Sequence, residues 1–200
     1  MKAYCINLKR RPDRLKHITK ECEKHDLEMV LIEASDGKID FPDAPPRIWQ
    51  AAYGCQLSHI KALELIFESG EDGLILEDDC QFDNDFKERF DKCFNELPND
   101  FDVFFLGGSL LLENSSESYS DNLLRAKRVL CTHSYYVSRK AVKSLLNKAK
   151  EKQGKIDVIY TDFQQKNNCF ISYPEIAWQR KGYSDLVDSI TDNIHLRYGK

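Results

Sequence analysis

A chain of 200 residues, 42% hydrophobic and 31% charged, is long enough for one sizeable core and too apolar for a disordered segment. Its formal net charge of -4 argues against a nucleic-acid partner, because nucleic-acid binders usually carry a basic balance. Seven widely spaced cysteines without any C-x-x-C pair argue against a zinc site and suit free thiols in a reducing compartment.

The opening residues, 1–14, hold no apolar stretch of signal-peptide length. No run approaches the roughly 18 apolar residues of a membrane span. The expectation is one domain over residues 1–200, cytoplasmic and without a transmembrane segment. Ala3 to Leu8 reads as a strand, and Lys9 to Arg11 as a loop. Pro12 opens a helix whose stripe is Leu15, Ile18 and Cys22. Glu28 to Ala34 is the next strand, which makes a β-α-β start. The stretch from Ser35 to Tyr53, with Asp36-Gly37, Pro42, Pro45 and Pro46, reads as irregular. A helix follows from Gly54, with Leu57, Ile60, Leu63 and Phe67 on one face, and ends at Ser69-Gly70.

Gly73 to Leu76 is a short buried strand that runs into Glu77-Asp78-Asp79. Asn84 to Leu97 is amphipathic, with Phe86, Phe90 and Phe94 in register. Asp102 to Leu106 is an apolar strand broken by Gly107-Gly108, and Glu113 to Asn122 reads as an exposed loop. Arg128 to Cys131 and Tyr135 to Val137 read as short strands. Ser138 caps a helix through Ala149. Val158 to Gln165 is helical, and Cys169 to Tyr173 is a last strand stopped by Pro174. Strands alternating with helices predict an α/β sandwich with a mostly parallel central sheet flanked by helices. Ligands of such sheets sit beyond the carboxyl ends of the strands. Asn7 to Arg10, Glu77 to Asp79 and Gly107 to Ser109 all fall at such ends.

Three adjacent acids after an apolar strand repel one another, and burying them unpaired is costly. A hard divalent cation with oxygen ligands removes that cost, and so does a solvated polar turn. Both readings stay open on the triplet alone. Alternation along an extended segment would turn Glu77 and Asp79 to the same side. Arg10, Arg11 and Arg14 form either a phosphate-binding cluster or a solvated face. His59 is a ligand contact or a capped core histidine, and His133 reads as a core histidine. No G-x-S-x-G, P-loop or G-x-G-x-x-G occurs, so hydrolase triads, kinases and Rossmann dehydrogenases lack support.

The order of short motifs adds more. Tyr4-Cys5-Ile6-Asn7-Leu8-Lys9-Arg10-Arg11-Pro12-Asp13-Arg14 is followed by Glu33-Ala34-Ser35-Asp36-Gly37 and Gly54-Cys55-Gln56-Leu57-Ser58-His59. Then come Ile75-Leu76-Glu77-Asp78-Asp79, Phe101 to Gly107, Thr132 to Ser138, Ile156-Asp157, and Tyr173-Pro174 with Gln179 and Ser184. This series resembles glycosyltransferase family 25, which includes lipooligosaccharide and procollagen galactosyltransferases.

The resemblance implies a GT-A-like nucleotide-sugar-binding fold and a UDP-sugar donor. It implies manganese, with magnesium as the alternative, and inversion at the anomeric carbon. The transferred hexose would be galactose first and glucose second, and the acceptor a glycan or glycosylated protein. It places Asn7, Leu8, Arg10 and Arg14 near the nucleotide, and Asp36 and Gly37 near base and ribose. Ser58, His59 and Gly107 border the donor. Glu77 and Asp79 match metal ligands, with Asp79 the direct one, and Asp78 positions ribose or water. An inverting transfer needs a base for the acceptor hydroxyl. Asp157 matches a family aspartate, with Asp162, about one helical turn on, in reserve. A non-catalytic UDP-sugar-binding module and a structural domain of a glycan- or collagen-modifying system are the competing classes.

Overall fold

A computed structural model describes residues 1–45, 47–184 and 189–192, so Pro46 lies outside the described residues. The chain opens with β1 (Lys2–Asn7), α1 (Pro12–Lys24) and β2 (Glu28–Glu33). Pro12 sits in the first turn of α1, where a missing N–H costs nothing. Ile18 and Cys22 are the buried residues of that helix, and Leu15 packs at their margin. In β1, Ala3 and Cys5 enter one core while Tyr4 and Ile6 enter the other, as the two-residue period of a strand requires.

The stretch expected to be irregular is partly helical. α2 (Gly37–Asp40) is a single turn capped by Asp36, whose carboxylate accepts the Lys38 N–H at 3.2 Å. α3 (Arg47–Ser69) starts well before Gly54. Its inner face also differs from the expected stripe. Phe67 is 47% exposed, whereas Ala52, Gln56, Ser58, His59, Ala62, Leu63 and Ile66 are buried. Three of those are polar and have partners inside. Gln56, for example, donates to the Ala149 and Lys152 carbonyls, each at 2.7 Å. A face built on inward hydrogen bonds carries no apolar signature.

β3 (Gly73–Glu77), β4 (Cys80–Phe82), α4 (Phe86–Glu96) and β5 (Val103–Phe105) follow. The expected loop at 113–122 contains β6 (Ser116–Ser118), which pairs antiparallel with β7 (Leu123–Ala126). Its residues are polar because it lies at the sheet edge, where backbone pairing holds it. The strand expected at 128–131 is reduced to one bridge between Ser109 and Leu130. β8 (Ser134–Val137), α5 (Arg139–Lys150), α6 (Ile156–Gln164) and β9 (Cys169–Ser172) come next. After a cis Tyr173-Pro174 bond, the described chain ends in β10 (Ala177–Gln179), β11 (Gly182–Ser184) and β12 (Ser189–Thr191).

One sheet has the order β2-β1-β3-β8-β5-β9-β7-β6. All of its strands except β8 and β7 run in one direction, so the sheet is mostly parallel. α3, α5 and α6 cover one face, and α1 and α4 the other. The α/β sandwich is therefore the one expected. All seven cysteines are free. Among the described residues, no helix is long and apolar enough to cross a membrane.

This topology positions the site. β1 lies between β2 and β3, parallel to both, so three carboxyl ends stand side by side. Antiparallel β8 begins at that same end, with Ser134 opposite Leu76. β10 pairs with β4 just beyond the acids, with Gln179 opposite Cys80.

Candidate functional site

A crevice opens at the joined strand ends. Its walls include Leu8, Arg10 and Arg14 after β1, Ser35 to Lys38 after β2, Ser58 and His59 from α3, and Glu77, Asp78 and Asp79 after β3. Thus the structure gathers ten of the fourteen sequence candidates around one cavity, and the carboxyl-end rule accounts for the meeting.

The loop after β2 is held by close packing and hydrogen bonds. Ser58 Oγ accepts the Ser35 N–H at 2.9 Å and donates to the Gly54 carbonyl at 2.7 Å. A Cβ on Gly54 would stand 2.7 Å from the Gly37 nitrogen, so α3 reaches this loop only because both positions are glycine. Asp36 also accepts Arg10 Nε at 2.6 Å. Ser58 consequently acts on the loop through its backbone.

Each acid has its own surroundings. Glu77 Oε1 accepts the Thr132 hydroxyl at 2.9 Å and lies 3.3 Å from His59 Nε2. Burial works to raise Glu77, but the His59 bond and nearby imidazoles hold it below the ordinary carboxylate range. Asp78 accepts Asn7 Nδ2 and Arg14 Nη1, each at 2.7 Å. Burial still raises it, and those partners offset part of the rise. Asp79 Oδ2 lies 3.2 Å from Arg14 Nη1, whereas Asp79 Oδ1 is buried without a hydrogen-bond partner. Burial and the neighbouring Glu77 push Asp79 up to about 7.

Asp79 Oδ1 is an unsatisfied acceptor within a carboxylate cluster that one guanidinium only partly neutralises. An oxygen-seeking divalent cation would suit such a group, and Glu77 and Asp79 are the carboxylates that could hold it. Arg14, expected either in a phosphate-binding cluster or on a solvated face, lines the crevice but binds Asp78 and Asp79 and donates to the Tyr183 carbonyl at 2.6 Å. Asn7 does not line the crevice. It holds Asp78 from behind and donates to the Arg11 carbonyl at 3.1 Å.

Three more candidates stand outside the walls. Gly107 is absent from the walls. A Cβ there would come within 1.9 Å of the Ala177 carbonyl oxygen, so Gly107 lets β10 approach rather than touching a ligand. Asp162 lies on the protein surface, 50% exposed and paired with Lys148 at 3.2 Å, in a shallow cleft with Ser144 and Asn147. Five residues beyond Asp157 on α6, it lies roughly 140° further round the helix and faces outward, so the reserve base is removed from the site. Asp157 stands in the first turn of α6 and accepts the Cys131 N–H at 3.3 Å. Its charge helps raise the thiols of Cys55 and Cys131, and Cys55 lines the crevice. Asp157 is therefore beside that wall, not in it.

Several contributors had no role assigned from sequence. Lys38, Cys55, Gln179 and Ser184 line the crevice, and Thr132 holds Glu77. Cys55 precedes His59 by one helical turn, a spacing that marks a shared face. Lys38 and Thr132 carry no such signal. His59 is fully buried, with Nδ1 3.0 Å from the Tyr135 hydroxyl, which is 3.3 Å from that of Tyr160. His133 is buried with Nε2 3.3 Å from the Ala177 carbonyl, and burial lowers its pKa.

Comparison with known proteins adds a lineage. The family model described as "Glycosyltransferase family 25 (LPS biosynthesis protein)" matches residues 1–160. Procollagen galactosyltransferase 2 of Mus musculus is 25% identical over 167 residues, which is 72% of this chain and 27% of the mouse protein. A glycosyltransferase 25 family member of Drosophila melanogaster is 26% identical, over 72% of this chain and 27% of its own. The chain thus spans about a quarter of the length of these relatives. A solved glycosyltransferase involved in glycosylation of the major capsid of PBCV-1 superposes with a TM-score of 0.43 at 11% identity, covering 86% of this chain and 92% of that one.

Proposed function

The chain belongs to glycosyltransferase family 25, and from that premise we propose that it transfers a hexose, galactose first and glucose second, from a UDP-sugar to a hydroxyl of a glycan or glycosylated protein. The observation that carries this reading is Asp79. Its unpartnered, buried Oδ1 sits among three carboxylates with Arg10 and Arg14 on the same crevice wall. Such a cluster calls for a cation, and the Arg10 guanidinium on the same wall suits an anion. A metal-bound diphosphate supplies both.

Glu77 and Asp79 would hold manganese, or magnesium in its place, and the bound ion would stabilise the charge on the departing diphosphate. Arg10, on the crevice wall beside Asp36, would offer its guanidinium to the phosphates, while Arg14 holds Asp78 and Asp79 in place. Asp36 and Gly37, fixed by Ser58 and the Gly54 contact, shape the pocket for ribose and base. Asp78, oriented by Asn7, orders the ribose or a water. Displacement with inversion requires that a base take the acceptor proton on the face opposite the leaving group. Asp157, beside the Cys55 wall, is the carboxylate we assign to that task. The free thiols suit a cytoplasmic setting.

Calorimetry with uridine diphosphate tests the donor site. Binding that needs manganese and is lost in Asp79→Asn supports the reading. Equal binding in both proteins would remove the triplet from it. No binding under any condition would leave a structural domain. For the base, Asp157→Asn should abolish sugar transfer and leave manganese-dependent binding of the nucleotide intact. Full transfer in that variant would exclude Asp157.

A further inference from the structure

We propose that the inner wall of this crevice holds a second, softer cation site formed by Cys55, His59 and Glu77, and that its ion is zinc. One ligand atom from each residue, Sγ, a ring nitrogen and a carboxylate oxygen, lies within 4.8 Å of the other two. His59 Nε2 and Glu77 Oε1 are 3.3 Å apart. Two ligands on one tetrahedral zinc, with bonds of about 2.0 Å, stand about 3.3 Å apart. Cys55 lies one turn before His59 on α3, so its thiol enters from the same helix face.

The outer contacts favour this use. The Tyr135 hydroxyl can accept from His59 Nδ1–H, which frees Nε2 for an ion, and Tyr160 continues the chain. Thr132 orients the Glu77 carboxylate. Ligating histidines and carboxylates are typically held by partners of this kind. The donor set also differs in kind from the oxygen ligands of Asp79. Thiolate and imidazole favour zinc over manganese or magnesium. The Cys55 proton leaves to solvent on binding, and thiolate plus carboxylate then balance the charge of the ion.

The absence of C-x-x-C spacing had argued against zinc, but the site uses one helical turn and a distant strand end. Glu77 would serve both cations, so zinc at Cys55 withdraws it from the triplet and should inhibit transfer. That consequence rests on the proposed activity, whereas zinc binding itself does not.

Cobalt is the optical probe, used on the full chain with a non-thiol reductant. The native protein should show a thiolate-to-cobalt charge-transfer band that one equivalent of zinc removes. Cys55→Ser should lose the band and weaken zinc by at least roughly tenfold. Cys131→Ser and Asp79→Asn should both retain the band, which separates this site from the donor metal and from the neighbouring thiol. No band in the native chain, or a band that survives Cys55→Ser, overturns the proposal. Zinc-edge X-ray absorption on the native protein needs no variant to fold: one sulfur in the coordination sphere supports the site, and a sulfur-free sphere rejects it.

Discussion

Asp79 joins the electrostatics of single residues to the behaviour of the whole site. Its pKa is raised from 3.8 to about 7 by burial and Glu77. A carboxyl raised on folding binds its proton more tightly in the native state. The stability it contributes is complete below pH 4 and is lost as pH rises through 7. In the absence of metal, the native chain should therefore lose urea resistance relative to Asp79→Asn between about pH 4 and about pH 7. Parallel pH profiles for the two proteins would contradict this. The same ionisation frees the carboxylate, so manganese affinity should rise over that interval. Arg14 makes the complementary case. Replacing it with Ala leaves Asp78 and Asp79 without their cation, a loss of about 1–3 kcal/mol. Thermal melts should then show that manganese raises the midpoint of Arg14→Ala more than that of the native chain.

Secondary-structure elements place these side chains by close backbone approach. Gly107 admits the Ala177 carbonyl, and β10 brings Gln179 to the crevice. A methyl group there meets backbone, which cannot turn aside. Gly107→Ala should cost about 1–3 kcal/mol and weaken nucleotide binding, although Gly107 touches no ligand. Unchanged calorimetry would show that β10 does not position the site. The legible elements were those with an apolar run or period or a turn residue: β1, α1, β2, β3, α4, β5, β8, α5, α6 and β9. β6 was missed because a polar edge strand is held by its backbone. The inner face of α3 was misread because Gln56, Ser58 and His59 point inward through hydrogen bonds that hydropathy does not register. Asp162 was misplaced because it is five residues from Asp157, which is not a whole turn: the offset of roughly 140° turns the two side chains to different sides of the helix.

At the scale of the molecule, two cores separated by the sheet carry the stability. Phe104 is fully buried in the core beneath α4, 5.8 Å from Phe90. Phe104→Ala should cost about 3–5 kcal/mol, read as a lower urea midpoint. No disulfide contributes, so a reductant should leave the melting temperature unchanged, and a fall would reveal a bond between thiols such as Cys5 and Cys22, whose sulfurs lie 3.6 Å apart. By itself the sequence determined the α/β class, the β-α-β opening and the ordered motifs that end at strand termini, because apolar period and turn chemistry are local. Only the tertiary structure decided that Arg14 neutralises Asp78 and Asp79, that Asp79 keeps an unsatisfied oxygen, and that Cys55 meets His59 and Glu77. Those contacts join segments far apart in the chain, and their distances depend on how β1, β3 and α3 pack, which no local pattern encodes.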